Sequence, residues 1–272
     1  GQYQTAAAVS GQIYTSSNYG VTWTARDTSR TWTGVAMSSD GSKQTAVVDA
    51  GQIYTSSNYG VTWTARSSNK NWGGISMSSD GSRQTAVAGF GSSLDNIYVS
   101  IDSGVTWTAV TAAGNRQWVG IRVSSTGQYQ TAVAFGIENI YVSSDYGSTW
   151  TSRGPAKDYL GIAMSSSGRL QTAVATTGDT TIPDNIYTSN DYGITWTSKN
   201  VADIWQDVAM SSDGVYQIAV STTDSGGAGR IYTSVAEYVS SLMGRLTVNA
   251  SVSAPALSGV FYGDGSKLTE TK

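Results

Sequence analysis

The tyrosine of an Ile-Tyr pair recurs at Tyr14, Tyr54, Tyr98, Tyr141, Tyr187 and Tyr232, at spacings of 40 to 46 residues. A repeat of this length cannot bury a core alone, so successive units must stack. One full unit runs from 32 to 66 and reads "WTGVAMSSDGSKQTAVV" followed by "GQIYTSSNYGVTWTAR". It holds four short runs rich in Val, Ile, Tyr, Thr and Trp, at 33–38, 44–48, 52–56 and 61–65. Each is bounded by Gly, Ser, Asn or Asp, as strands are. We name them A, B, C and D. The Asp-Gly of "SSDGS" supplies the positive φ angles of a tight A–B hairpin.

Four strands per unit and a period in the forties point to propeller blades. B and C runs occur in six copies, A and D runs in five. The chain opens B-C-D and closes A-B-C at 205–234. The expectation is an all-β, six-bladed propeller over 1–235, with seven blades as the alternative, and a C-terminal β extension over 236–272. The missing strands come either from the tail after Ser234 or from upstream of Gly1.

Composition narrows the chemistry. The 272 residues include no cysteine and no histidine. Disulfides, thiolate metal sites and the commonest general base are therefore excluded, and any metal would need oxygen ligands. No metal or cofactor is expected. A net charge of −3 with 13% charged residues lacks the basic bias that nucleic acid requires. No apolar run reaches membrane-spanning length, so membrane insertion is not expected either.

The C–D connection reads S-x-[DN]-x-G-x-T-W in five copies, 16–23, 56–63, 100–107, 143–150 and 189–196. The acceptor positions are Asn18, Asn58, Asp102, Asp145 and Asp191. Their side chains can accept backbone N–H bonds inside a turn. Gly20, Gly60, Gly104, Gly147 and Gly193 permit backbone angles closed to other residues. Trp23, Trp63, Trp107, Trp150 and Trp196 bury a large ring against the hairpin or its neighbour. This pattern resembles the Asp-box, or bacterial neuraminidase repeat, of sialidases, sortilin-type receptors, some xyloglucan hydrolases and photosystem assembly factors. The resemblance implies a propeller; the family's functions are mixed. Asn at two of five acceptor positions suits a turn better than a catalytic acid, so the boxes are read as structural.

In an up-and-down blade the A–B and C–D turns share one edge, and the B–C and D–A connections share the other. The first edge is nearly invariant between units. The second varies, from "SG" at 10–11 to "GFGSSLDN" at 89–96, "TTGDTTIPDN" at 176–185 and "STTDSGGAGR" at 221–230. Varied loops on a rigid frame are where binding concentrates. An aromatic precedes strand A in every unit: Trp32, Trp72, Trp118, Tyr159 and Trp205. Two positions earlier stand Arg30, Lys70, Arg116 and Lys157, with Asp203 in the fifth unit. These nine aromatic and cationic side chains are the candidate ligand-binding set, since rings stack on sugars and cations pair with carboxylate or sulfate. Set against that reading, the aromatics are wedges between blades and the cations are solvated. Packing is the preferred reading for the aromatics; the cations are left open.

Acid/base candidates on the varied edge are Asp49, Asp95, Glu138, Asp158, Asp184 and Asp207. The arginine triad that sialidases use has no counterpart, because Arg26, Arg66 and Arg153 fall at equivalent repeat positions. The segment 246–269, chiefly "SGVFYGDGSKLT", resembles parts of phage and giant-virus fibre or tail proteins. That resemblance implies an extracellular or virion-surface location and assembly into homo-oligomers or with virion neighbours through 236–272. The sequence is thus read as a non-enzymatic attachment protein taking a glycan or host-surface receptor. A sialidase-like glycoside hydrolase and a purely structural virion or filament subunit are the alternatives.

Overall fold

The computed structural model describes residues 1–91, 93–177, 183–222 and 229–236, and the backbone of 246–253. Among the described residues every regular element is a strand except a 3-10 turn at Thr111–Ala113. The first sheet is β1 (Gln4–Ala7), β2 (Gly11–Ser16) and β3 (Thr24–Arg30). The second is β4 (Trp32–Met37), β5 (Gln44–Val48), β6 (Gly51–Ser56) and β7 (Thr64–Lys70). The third is β8 (Trp72–Met77), β9 (Gln84–Ala88), β10 (Ile97–Ser100) and β11 (Thr108–Val110). Next come β12 (Gln117–Val123), β13 (Gln130–Phe135), β14 (Glu138–Ser143), β15 (Thr151–Met164), β16 (Gln171–Thr176), β17 (Ile186–Ser189) and β18 (Thr197–Ser198). These seven are hydrogen-bonded in order, because the long β15 closes one repeat and opens the next. The last sheet is β19 (Ile204–Met210), β20 (Tyr216–Thr222), β21 (Arg230–Ala236) and β22 (Leu246–Ser253). All pairings are antiparallel meanders.

β22 pairs with β21, Ile231 opposite Val252 and Ala236 opposite Leu246. The tail thereby takes the D position that the repeat pattern leaves empty in the last unit, and the 235/236 boundary falls inside this sheet. The residues of the fibre-like motif after Ser253 lie outside the described residues.

The core lies between sheets. Ile13 of the first sheet packs with Trp32, Ala46 and Tyr54 of the second, and Val47 and Ile53 pack with Trp72, Ala86 and Tyr98 of the third. The same arrangement continues through the later sheets. Strand alternation sends the Ile of each Ile-Tyr pair forward and the Tyr backward.

Polar links run in the same direction. In strand B, the Thr5 hydroxyl donates to Gln44 Oε1, Thr45 to Gln84, Thr85 to Gln130, Thr131 to Gln171 and Thr172 to Gln217, at 2.7–2.8 Å. Each glutamine then donates its amide to the carbonyl three residues earlier, as Gln84 does to Gly81 at 3.1 Å. A backbone ladder joins the A–B turns, Ser39 N–H to Ser79 O, Ser79 to Ser125, Ser125 to Ser166 and Ser166 to Ser212.

The C–D boxes make the turn that their residue types predict. Gly60 N–H donates to Ser56 Oγ at 3.0 Å, Thr62 N–H to Asn58 Oδ1 at 3.0 Å, and Trp63 Nε1 to Gly60 O at 2.9 Å. Where the box has Asp, its second oxygen accepts the Thr hydroxyl; where it has Asn, its amide donates to that oxygen. Gly60 has φ +76, and a Cβ there would lie 2.6 Å from both Gln44 Oε1 and Thr15 Cγ2. The box glycine is therefore also a condition for the sheet-to-sheet contact. Box amides reach the neighbouring A–B turn, Tyr59 N–H to Ser42 O at 3.2 Å, so both invariant turns do share an edge.

One expectation changes. Strand D, expected at 61–65 with a varied D–A loop after it, continues instead: β3 and β7 run through "RDTSR" (26–30) and "RSSNK" (66–70) to Arg30 and Lys70. Asp27, Ser67 and Gly154 take positive φ, and an amide from strand C holds the carbonyl of each: Gln12 to Asp27, Gln52 to Ser67 and Asn139 to Gly154. A bulge held this way lets strand D turn inward without leaving the sheet.

The end sheets differ from the rest. Among the described residues no hydrogen bond joins the first sheet to the last. Tyr216, Ile218, Ile231 and Val235 are exposed on the last sheet, and Tyr14 and Trp23 on the first.

Two outcomes are expected. Thr131→Val leaves the buried Gln171 oxygen without its donor and should cost about 1–3 kcal/mol in urea unfolding. Thr5→Val, at the less buried first sheet, should cost less, because water can replace the hydroxyl. Acid should also weaken the turns. The Ser38 hydroxyl and the Ser42 amide lower Asp40 to about 2 from 3.8, and the Ser78 hydroxyl and Ser82 amide do the same for Asp80. Burial works to raise Asp102, but the Thr106 hydroxyl and amide outweigh it and bring the group to about 2. These folded-state values lie below the unfolded ones, so the stabilisation is present above pH ~4 and lost as pH falls toward ~2. The urea midpoint should hold from neutral pH down to ~5 and fall below ~4. Asp102→Asn should flatten part of that fall while keeping the turn, as Asn18 and Asn58 do.

Candidate functional site

The edge carrying the B–C connections is the irregular one. The structure places the five candidate aromatics inside it: Trp32, Trp72, Trp118, Tyr159 and Trp205 are each at most 1% exposed. Each meets the strand C tyrosine of its own sheet edge to face. The pairs are Trp32–Tyr54 at 5.3 Å, Trp72–Tyr98 at 5.1 Å, Trp118–Tyr141 at 5.2 Å, Tyr159–Tyr187 at 6.1 Å and Trp205–Tyr232 at 4.8 Å. Trp72 Nε1 donates to Gly51 O of the preceding sheet at 3.0 Å. In this arrangement the rings are wedges between sheets and present no face to a ligand.

The cations lie over the tyrosines at the surface of these wedges. Arg30 lies 4.4 Å from the Tyr54 ring centroid, Lys70 5.0 Å from Tyr98 and Arg116 4.2 Å from Tyr141. Each also meets a carboxylate: Lys70–Asp95 at 2.9 Å, Arg116–Glu138 at 3.1 Å, Lys157–Asp184 at 2.9 Å and Arg30–Asp27 at 3.6 Å. In the last sheet the charges are exchanged. Asp203 holds the cation's place, and Arg230 approaches it at 3.6 Å from strand C.

The carboxylates have few free valences. Asp95 also accepts from Tyr98 Oη at 2.9 Å and from Asn96 N–H at 2.8 Å. Burial works to raise it, but Lys70, the Asn96 amide and the Tyr98 hydroxyl together hold it below its ordinary value. Lys70 is raised in turn, Asp95 prevailing over burial. Asp203 accepts from Ile204 N–H, Ser221 Oγ and Tyr232 Oη, and these bring it below the ordinary range against the effect of burial. Asp158 accepts from the amides of Gly136 and Ile137. Asp49 and Asp207 make no ion pair within 4 Å among the described residues. No group of three or more acidic side chains there could hold a metal.

The exposed side chains of this edge include the apolar Val9, Phe90, Leu94 and Ile137, each in a B–C connection, beside polar ones such as Ser10, Thr28, Ser29, Asn69 and Asn115. The tyrosine partners were in no candidate set, and Asp95, Glu138 and Asp184 stood there only as acid/base candidates and not as partners of the cations. The signal was present, since "DNIY", "ENIY" and "DNIY" stand at 95–98, 138–141 and 184–187, each supplying the acid that meets Lys70, Arg116 or Lys157. Also missed is Arg122 of β12, a strand A, where other repeats carry Ala36, Ser76, Ala163 or Ala209. Burial lowers its pKa, and the charge of Asp207 on β19 partly offsets this.

Two segments, 140–152 and 186–199, match the BNR-Asp box repeat family model. No curated protein is significantly similar in sequence. In fold the chain is similar to an ancestral GH74 enzyme, with TM-score 0.70 at 16% identity over 90% of this chain and 36% of that one. It is similar to the GH74 xyloglucanase from Xanthomonas campestris, with TM-score 0.63 at 13% identity, over 86% of this chain and 43% of that one. It also resembles the Myceliophteria thermophila Cps50 (Swd1) β-propeller domain, with TM-score 0.62 at 12% identity, over 92% and 73%. The chain thus spans well under half the length of these two GH74 enzymes. It carries BNR-type repeats on a propeller-like, all-β frame.

Trp72→Ala should cost about 3–5 kcal/mol in urea unfolding, as deletion of a fully buried ring does. Lys70→Gln should cost about 1 kcal/mol or less, because its ion pair is partly solvated.

Proposed function

We propose that this chain is a non-enzymatic propeller of six repeats that attaches to an external partner through its B–C edge. What supports this is how the edge spends its charges. Glycoside hydrolysis requires a carboxyl held protonated near neutral pH, paired with an ionised one. Among the described residues every Asp with a displaced pKa is displaced downward, and Glu138, Asp95 and Asp184 are tied to cations. The edge instead offers connections of unequal length with apolar tips at Phe90, Leu94 and Ile137. Apolar contacts flanked by hydroxyl-rich loops suit a glycan or a protein receptor. An extracellular or virion-surface setting, with assembly through 236–272, belongs to the same proposal.

A glycan array followed by ligand-titrated NMR tests it. Binding that Phe90→Ala and Leu94→Ser abolish, with Tm unchanged, is the expected result. No ligand on the array, together with attachment that survives both changes, would remove the reading. The fold likeness to GH74 enzymes supports a second reading, a glycoside hydrolase. Turnover of a xyloglucan oligomer or a fluorogenic sialoside, lost on Glu138→Gln or Asp207→Asn, would favour it.

A further inference from the structure

The turn edge departs from its repeat between the first and second sheets. A cleft of about 250 Å³ lies there, lined chiefly by Tyr3, Thr15, Thr22, Thr24 and Arg26 of the first repeat and Tyr59 of the second. At about 30 Å³ per water molecule, that is room for roughly eight waters or one sugar ring. Tyr3 stacks on Tyr59 at 4.4 Å, and Tyr59 keeps 41% exposure.

The cleft holds donors that the fold does not use. Arg26 is half-buried. Its Nε donates to Thr15 Oγ1 at 3.1 Å, which orients the guanidinium plane. Neither Nη of Arg26 makes a hydrogen bond or an ion pair among the described residues. Thr22 is a second free donor, and the box chemistry makes it so. In the Asp boxes the threonine hydroxyl gives its hydrogen to the carboxylate, as Thr106 does to Asp102 and Thr195 to Asp191. In the first box Thr22 N–H donates to Asn18 Oδ1 at 2.9 Å, so the Asn18 amide faces Thr22 Oγ1 and donates to it at 2.9 Å. The hydroxyl hydrogen of Thr22 is thereby left for another acceptor.

The two boxes beside the cleft, 16–23 and 56–63, are the two that carry Asn in place of Asp. The cleft thus has a cation and hydroxyls without a box carboxylate. Neighbouring acids are engaged elsewhere: Asp27 by the Thr28 amide and Arg30, Asp40 by Ser38 and Ser42. The combination occurs once along the repeat. Arg66 donates to Thr55 at 3.2 Å, but Lys43 and Ser103 stand in the tyrosine places. Tyr129 stacks on Tyr192 at 4.3 Å with Arg153 in the arginine place, but Val142 replaces the threonine. At the third junction Val99 and Val110 replace threonine and arginine together. Packing is met equally well by all of these versions, so it does not account for the first.

We propose that this cleft binds a sugar ring bearing a carboxylate or sulfate, with Arg26 and the Thr22 hydroxyl donating to the anion. A guanidinium fork matches two oxygens of either group, and the Tyr3–Tyr59 pair offers an aromatic wall for the ring. The site lies on the edge opposite the B–C connections and does not rest on their ligand.

The test is a ¹H–¹⁵N NMR titration of the whole chain, following the Arg26 Nε–H and the Thr22 amide. The probes are methyl glucuronide, N-acetylglucosamine 6-sulfate, methyl glucoside and sodium sulfate, at matched ionic strength. At least one anionic sugar is expected to saturate these signals, about fivefold or more tighter than the neutral glucoside and the inorganic sulfate. Arg26→Gln should abolish the response and Arg66→Gln should leave it. Asn18→Asp keeps the turn, as three boxes already do. It should weaken binding about tenfold with Tm unchanged, because the carboxylate repels the anion and takes the Thr22 hydrogen. Tyr59→Ser should weaken the sugars and not sulfate. No saturable shift at Arg26 up to ~50 mM anionic sugar would overturn the proposal. So would sulfate binding as tightly as the sugars (an adventitious ion only), or a response that survives Arg26→Gln. Should Arg26→Gln not fold, Asn18→Asp decides: unweakened binding refutes the site. Phe90→Ala, which tests the B–C edge, should leave these shifts unchanged, so either proposal can fail alone.

Discussion

A threonine hydroxyl held against a buried glutamine oxygen, repeated at five junctions, fixes how each sheet meets the next. The bond is short, both partners are sequestered from water where the sheets are fully covered, and the glutamine's amide is committed to a turn carbonyl. A buried amide oxygen without its donor is costly, so the contact sets the register between sheets as well as their adhesion. The box glycine, the small residues at the A strands and the forward-pointing isoleucines all fit around it. If this spacing changed, the wedge aromatics would lose their slots as well.

The two edges of the array use polar residues differently. On the turn edge, Ser, Asn, Asp and Thr close local rings of hydrogen bonds, and the charges stay near water. On the connection edge, each cation lies between a carboxylate and a tyrosine that itself packs on a buried ring. Such clusters tie a connection to the core through a few side chains. They also explain why loops as different as 89–96 and the short turn at 136–137 leave the strands beneath them unchanged. The exchange of Asp203 and Arg230 in the last sheet keeps the pairing while reversing its direction, which indicates that the pair matters more than the sign at either place.

Much of this is readable along the chain, and the parts that are not have identifiable causes. The period, the four strands per unit, the box chemistry and the sharing of an edge by both invariant turns follow from local residue types. Strand B was placed at 44–48, where it lies. Strand D was placed too early and too short, because Asp27 and Ser67 look like loop residues until the strand C amides that hold their carbonyls are seen. The aromatics at 32, 72, 118, 159 and 205 fit a sugar site as well as the preferred wedge reading, and periodicity does not separate the two. Only their lack of solvent contact does so. Arg30 meets Asp27 within one strand, but Lys70, Arg116 and Lys157 could be paired with Asp95, Glu138 and Asp184 only once segments more than twenty residues apart were brought together.

The sequence by itself determined a repeat of short antiparallel strands on a propeller-like plan, because φ preferences, strand alternation and turn chemistry act over a few residues and recur at a fixed period. The tertiary structure alone decided which side chains face the next sheet, which cation meets which acid, and that 246–253 completes the last sheet. Those outcomes depend on contacts between residues about 15 to 45 apart in the chain, and on water excluded from a junction that no single repeat contains.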